Sequence, residues 1–169
     1  MNQQQIEIYT DGSCHTRQKS GAWASILLMG DEKIVIKGEE KNTTHNRMEL
    51  LAVLKAIEYL DKKQYDAELI IYTDSQYVCG IPGRKEKFKQ RNYMTNKGIL
   101  VQNADLVKEL VKQIESHCIQ FIKIKAHQKL DTDSCRYNNQ VDRLSRKTMR
   151  SNCRNEVTGD SNCSNALNH

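Results

Sequence analysis

The sequence predicts an α/β fold in one domain, and three observations carry that prediction. Two separate β-type runs, Ile6-Glu7-Ile8-Tyr9-Thr10-Asp11 and Leu69-Ile70-Ile71-Tyr72-Thr73-Asp74, end in the same Tyr-Thr-Asp tripeptide. Between them lie two further alternating runs and one long apolar segment of good helix formers, a pattern of antiparallel meander followed by a strand, helix, strand crossover. The length, 169 residues, suits a single compact α/β domain and leaves no room for a second.

The elements follow in order. A first strand is predicted over residues 4–10, a second over 22–29 and a third over 33–38, the last two joined by a turn at Gly30-Asp31. Residues 43–60 read as a helix and 69–73 as the strand that returns parallel to the first. A short helix over 75–80 is stopped by Gly80 and Pro82. Leu106, Val107, Leu110, Val111 and Ile114 recur at amphipathic spacing and predict a helix over 105–116. Residues 119–125 alternate as a strand, and 138–150 form a closing basic helix. From Ser151 the chain is rich in Asn and Ser, so residues 151–169 are expected to be a disordered or loosely attached tail behind a domain over 1–150.

Composition narrows the function classes. The formal charge is +5, and Arg84 to Lys97 alone carries six Lys or Arg against Glu86, which accounts for it. Such a cluster is either a solvated face or a contact for a polyanion. No apolar run approaches bilayer length and the start, Met1-Asn2-Gln3-Gln4-Gln5, lacks signal-peptide character, so a soluble cytoplasmic protein with no membrane partner is expected. Six cysteines stand without CxxC or His spacing for zinc and read as free thiols, a Cys153 to Cys163 bridge being the alternative. Asp131 and Asp133 lack the Gly and distal Glu of a calcium loop.

The acids are the informative part. If the two Tyr-Thr-Asp strands run parallel side by side, Asp11 and Asp74 emerge together at the carboxyl edge of the sheet, where open α/β folds bind ligands. Like charges held that close call for a cation between them. Glu49 shares a helix side with Ala52, Val53, Ala56 and Leu60, at about 100° per residue, and so points inward. The competing roles are turn formation by Asp11, helix capping by Asp74, and a capping-box bond from Glu49 to Asn46. Asp142, beside Val141 and Leu144, is either a ligand or an acid complementing its helix dipole.

The blocks Tyr9-Thr10-Asp11-Gly12-Ser13-Cys14, Thr43-Thr44-His45-Asn46-Arg47-Met48-Glu49-Leu50 and Tyr72-Thr73-Asp74-Ser75-Gln76-Tyr77-Val78 together resemble the motifs of the ribonuclease HI family over about residues 4–150. The resemblance implies an RNase H-like fold, a five-stranded mixed sheet flanked by helices. It also implies an acidic set of Asp11, Glu49, Asp74 and Asp142. Two Mg²⁺ ions, with Mn²⁺ as a substitute, would bind there and hydrolyse the RNA strand of RNA:DNA hybrids, leaving 5'-phosphate and 3'-hydroxyl ends. His127 resembles the family's histidine that helps proton movement and product departure. A DNA-cleaving relative and a catalytically silent hybrid-binding module are the rival readings.

Substrate contacts are implied by the same resemblance. Gly12 and Cys14 backbone groups with the Asn46 and Gln76 side chains would read the RNA strand, and Thr44 with Arg17 would hold a DNA phosphate. Lys85, Lys87, Lys89 and Arg91 lie in a segment, about residues 81–97, that resembles a basic protrusion. Phe88 and Tyr93 either anchor it or stack on deoxyribose. Departures from the family pattern are Asn42, the loop from His15 to Ser20, the polar stretch Lys129 to Tyr137, and Asn139 in place of an acid. With the protrusion in the same chain, a free-standing enzyme and a monomer are expected.

Overall fold

The computed structural model describes residues 4–125 and 132–151 in full and the backbone of 152–159. Its strands are β1 (Gln5–His15), β2 (Ser20–Met29), β3 (Glu32–Lys41), β4 (Glu68–Thr73) and β5 (Ile119–Lys123). They form one sheet in the order β3-β2-β1-β4-β5. The β1/β2 and β2/β3 pairs are antiparallel, and β1/β4 and β4/β5 are parallel, as a mixed sheet with one meander requires. The helices are α1 (His45–Lys62), α2 (Gln76–Cys79), α3 (Lys85–Gln90), α4 (Ala104–Ser116) and α5 (Asp133–Gly159), with a 3-10 turn at Pro82–Arg84.

Alternation along the strands builds a core on each face of the sheet. Ile6 and Ile8 of β1, Leu27 and Met29 of β2, and Leu69 and Ile71 of β4 point to one side, where α1 and α4 cover them with Leu50, Val53, Ile57, Val107 and Leu110. Tyr9, Ala24 and Ile26 point to the other side and meet Val141 of α5. The Tyr9 and Tyr72 rings stack there with centroids 4.6 Å apart and planes 6° from parallel, and Tyr137 of α5 tilts onto Tyr9 at 5.2 Å. Apolar residues surround most of the first half of α1 because sheet and α4 enclose it together.

Three expectations are corrected. β1 does not end at Thr10: β2 keeps pairing with it from Asp11↔Ala24 to His15↔Ser20, and β3 stays paired to β2 there, so nearly half of β1 runs on in a three-stranded antiparallel extension past the parallel ladder. α5 starts at Asp133 rather than 138, because Thr132 caps it, its Oγ1 accepting from the Cys135 N–H at 3.4 Å. The polar stretch Lys129 to Tyr137 is therefore partly helix. α5 also runs on past residue 150, where the closing helix was expected to end, to Gly159. No Pro or Gly interrupts residues 133–158, and extending an anchored helix adds one backbone hydrogen bond for each residue ordered, whatever its polarity.

Cys14, Cys79, Cys118 and Cys135 are free thiols as expected, and a Cys153 to Cys163 bridge lies outside the described side chains. Among the described residues no helix is long and apolar enough to cross a membrane.

Candidate active site

The two Tyr-Thr-Asp segments meet in register. The parallel ladder between β1 and β4 ends at Tyr9↔Tyr72, and Asp11 and Asp74 each lie two residues beyond it. Asp11 stays in the β1/β2 ribbon, while the chain leaves the sheet at Asp74 and Ser75 caps α2 through Val78 N–H, 3.3 Å from its Oγ. Glu49 arrives from α1. This helix crosses β1 at Gly12, where a Cβ would lie 2.5 Å from the Glu49 nitrogen and 2.6 Å from the Met48 carbonyl carbon. Only glycine lets the two backbones approach so closely.

Thr44 caps α1, accepting from the Arg47 N–H at 3.3 Å. Arg47 then anchors that first turn: its Nε donates to Glu40 at the end of β3 at 3.2 Å and its Nη1 to Asp105 of α4 at 3.0 Å. With the cap on Thr44, Glu49 is not the partner of a cap on Asn46. Its side chain is 1% exposed and faces the sheet edge.

One ligand atom from each of Asp11, Glu49 and Asp74 lies within 4.8 Å of the others. Asp11 is 6% exposed, and burial together with the charge of Glu49 pushes its carboxyl up to about 7, against the pull of the Ser145 hydroxyl. Burial raises Glu49 as well, opposed by its hydrogen bond from His45. Glu49 Oε2 is buried with no hydrogen-bond partner among the described residues. An orphaned carboxylate oxygen in a cluster of like charge is costly to hold, and a cation would offset that cost. The donors are all hard oxygens, which suits a divalent ion such as Mg²⁺ or Mn²⁺. The residues present therefore fit the group.

Asp142 lines the same open cleft, of 370 Å³, but stands outside the close trio and pairs with Arg146 Nε at 2.8 Å. His127 lies outside the described residues. Two side chains at the trio escaped the sequence reading. His45, one turn before Glu49, reaches its Oε1 at 3.2 Å, and the Glu49 bond holds the imidazole pKa above its ordinary value. Ser145 of α5 is fully buried and donates from Oγ to Asp11 Oδ2. The i, i+4 spacing was the available signal for His45, whereas Ser145 is 134 positions from Asp11 and had none.

The expected substrate contacts divide. Gly12 and Cys14 line the cleft. Asn46 is half-buried in the first turn of α1, and Gln76 opens α2 with its Oε1 accepting from Lys123. Arg17 sits in the exposed turn between β1 and β2, and it is not among the residues that line the cleft. In the basic segment, Lys89 is paired with Glu115 at 2.6 Å and Arg91 donates to Asn96 Oδ1, while Lys87 is exposed and Lys85 half-buried. Phe88 and Tyr93 stack on each other at 6.0 Å and pack against the main core, with Arg84 over the Phe88 ring and Lys108 of α4 over Tyr93. They anchor the segment.

Comparison with known proteins agrees with this geometry. A family model described as RNase H matches residues 3–150. A ribonuclease H of Thermoanaerobacter sp. (strain X514) is 38% identical over 151 residues, covering 88% of this chain and 92% of the relative. One from Wolbachia sp. subsp. Drosophila simulans (strain wRi) is 36% identical over 150 residues, covering 88% of this chain and 98% of the relative. Among solved structures, LC9-RNase H1, a type 1 RNase H with the type 2 active-site motif, superposes with a TM-score of 0.76 at 20% identity, covering 89% of this chain and 74% of that one. A foamy viral protease-reverse transcriptase in complex with RNA/DNA hybrid gives 0.70 at 16% identity, over 88% of this chain and 20% of that one. The last two share the fold. With the family model spanning residues 3–150 of 169 and relatives matched over almost their whole length, the chain belongs to the RNase H family of nucleases.

Proposed function

We propose that this protein is an endoribonuclease that hydrolyses the RNA strand of RNA:DNA hybrids with Mg²⁺, or Mn²⁺ in its place, leaving 5'-phosphate and 3'-hydroxyl ends. The observation that carries the reading is the convergence of Asp11, Glu49 and Asp74 within 4.8 Å around a buried, partnerless Glu49 oxygen. Divalent ions bound there supply activation of the attacking water and neutralisation of the leaving 3'-oxygen. Asp11, Glu49 and Asp74, with Asp142 in the same cleft, would hold two such ions. His127 is assigned the proton transfers and product departure.

The chain's own polar groups are disposed to read a hybrid. Gln76 has its Oε1 taken by Lys123, which leaves its amide N–H groups to donate to a ribose 2'-hydroxyl. Thr44 uses a lone pair in the helix cap, so its O–H remains available to a DNA-strand phosphate. Gly12, Cys14 and Asn46 would meet the RNA strand, Arg17 would assist Thr44, and Lys85, Lys87, Lys89 and Arg91 would meet phosphates. Recognition by groove and backbone implies little sequence preference. One chain carries the whole acidic set, so a monomer suffices.

The test is a gel assay of end-labelled RNA presented as hybrid, RNA duplex and single strand, with and without EDTA. Hybrid-selective, EDTA-sensitive cleavage is expected, and Asp74→Asn should remove nearly all of it while hybrid binding persists. Equal cleavage of RNA duplex or DNA, or turnover in EDTA, would refute the reading.

A further inference from the structure

Helix α5 carries more positive charge than the cleft needs. Arg136, Arg143, Lys147 and Arg150 follow at steps of seven, four and three residues, which places them on one face of a 3.6-residue helix. All four are exposed. Arg136 has only a long contact with Asp133, at 3.5 Å, and Arg143, Lys147 and Arg150 meet no acidic partner among the described residues. Like charges at these spacings cost a helix a few tenths of a kcal/mol each. The protein bears that strain along the length of the face.

Both ends of the row open into concave surface. Arg150, with Arg146, lines the catalytic cleft. Arg136 and Arg143 line a second hollow of 530 Å³, where Lys33 arrives from β3 and Tyr137 forms part of the wall. Lys33 is held in place there, donating to Gln140 Oε1 at 2.8 Å and lying 5.4 Å from the Tyr137 ring centroid. Among the described residues, no acidic side chain lines this hollow. From Arg136 to Arg150 the face spans about 21 Å at 1.5 Å per residue, the rise of roughly six nucleotides of one strand.

We propose that this face of α5, from the cleft to the Lys33 hollow, is a phosphate track that binds the sugar-phosphate backbone of the nucleic-acid duplex beyond the point of cleavage. The cations belong to a different element from those of Arg84 to Lys97, and the row is continuous with the cleft at Arg150. The ligand class follows from the charge pattern: a linear, regularly spaced polyanion matches a row of unneutralised cations, and the flat Tyr137 ring and amides of the hollow suit a sugar-phosphate end. The inference takes its ligand from the hybrid-cleaving reading above, but its test does not depend on cleavage.

The experiment compares wild type with the triple variant Arg136→Gln/Arg143→Gln/Lys147→Gln, which leaves Arg146 and Arg150 in the cleft untouched. Binding of a fluorescent hybrid is followed by anisotropy in EDTA across a salt series, with a long hybrid and with one short enough to fill the cleft alone. Three lost phosphate contacts should reduce the slope of log K against log salt by about 2 to 3. Affinity for the long hybrid should fall at least tenfold, with a much smaller loss for the short one and with kcat at saturating substrate unchanged. Arg136→Lys/Arg143→Lys keeps the charge and should keep the wild-type slope, which separates charge from fold. A control pair on α1, Lys55→Gln/Lys62→Gln, should also leave the slope alone. An unchanged slope in the triple variant, or an equal loss in the control, overturns the track. A wild type that binds through the track but fails to cleave hybrid would overturn the proposed activity instead.

Discussion

Replacing Asp11 with Asn should make the metal-free protein more stable while destroying its activity. Asp11 is 6% exposed and crowded by Glu49 and Asp74, and its carboxyl rises from an ordinary 3.8 to about 7, chiefly through burial and then the Glu49 charge. The folded state thus holds this proton more tightly than the unfolded chain does. Stability is highest where Asp11 is protonated in both states, below about pH 4, declines as pH climbs towards 7, and is level beyond. Three pKa units at 1.36 kcal/mol each give a penalty of about 4 kcal/mol at pH 8. Asn has the same shape without the charge, so Asp11→Asn in EDTA should gain up to about 4 kcal/mol there and almost nothing at pH 4. For a domain of this size that corresponds to a rise in Tm of about 8 to 16 °C. Urea or thermal unfolding at several pH values reads it directly, and added Mg²⁺ should stabilise wild type more than the variant. A variant no more stable than wild type at pH 8 in EDTA, or a wild type whose stability is flat across the window, would refute the electrostatic argument.

Three further outcomes can be checked on single variants. Gly12→Ala forces a Cβ to within 2.6 Å of α1 backbone atoms, so the helix carrying Glu49 must shift; a stability loss of about 1 to 3 kcal/mol and loss of cleavage should appear together in unfolding and gel assays. Ser145→Ala leaves Asp11 Oδ2 without its donor and should weaken Mg²⁺ binding by about tenfold in calorimetry. Phe88→Ala removes one half of the stack against Tyr93 and should cost about 1 to 2 kcal/mol and raise KM for hybrid, with kcat little changed.

Much of this architecture is legible in the amino-acid sequence itself. The repeated Tyr-Thr-Asp ends pair in register, and the inward side of Glu49 follows from helix periodicity alone, because both depend on short-range geometry that repeats every two or 3.6 residues. The stripe of α4 is recovered for the same reason, with Val107, Leu110 and Val111 buried as its spacing implies. What escapes is set by tertiary context. β1 continues past Asp11 because a partner strand is there to bond it, and nothing in Gly12-Ser13-Cys14 announces that partner. The early start of α5 depends on a Thr132 cap within a polar stretch, and its length on the absence of breakers rather than on apolar residues. Ser145 becomes part of the site only because α5 lies across the far face of the sheet.

The three tyrosines in contact have a bearing on the acids above them. Tyr9 and Tyr72 each stand two residues before an acid of the trio, and Tyr137 precedes Asp142 on the helix that leans on them. Mutual repulsion would push Asp11 and Asp74 apart, yet the strands that carry them are tied by rings in contact and by the parallel ladder beneath. An aromatic plinth thus keeps the two carriers together while the charge is still uncompensated, and the cation that arrives finds them side by side.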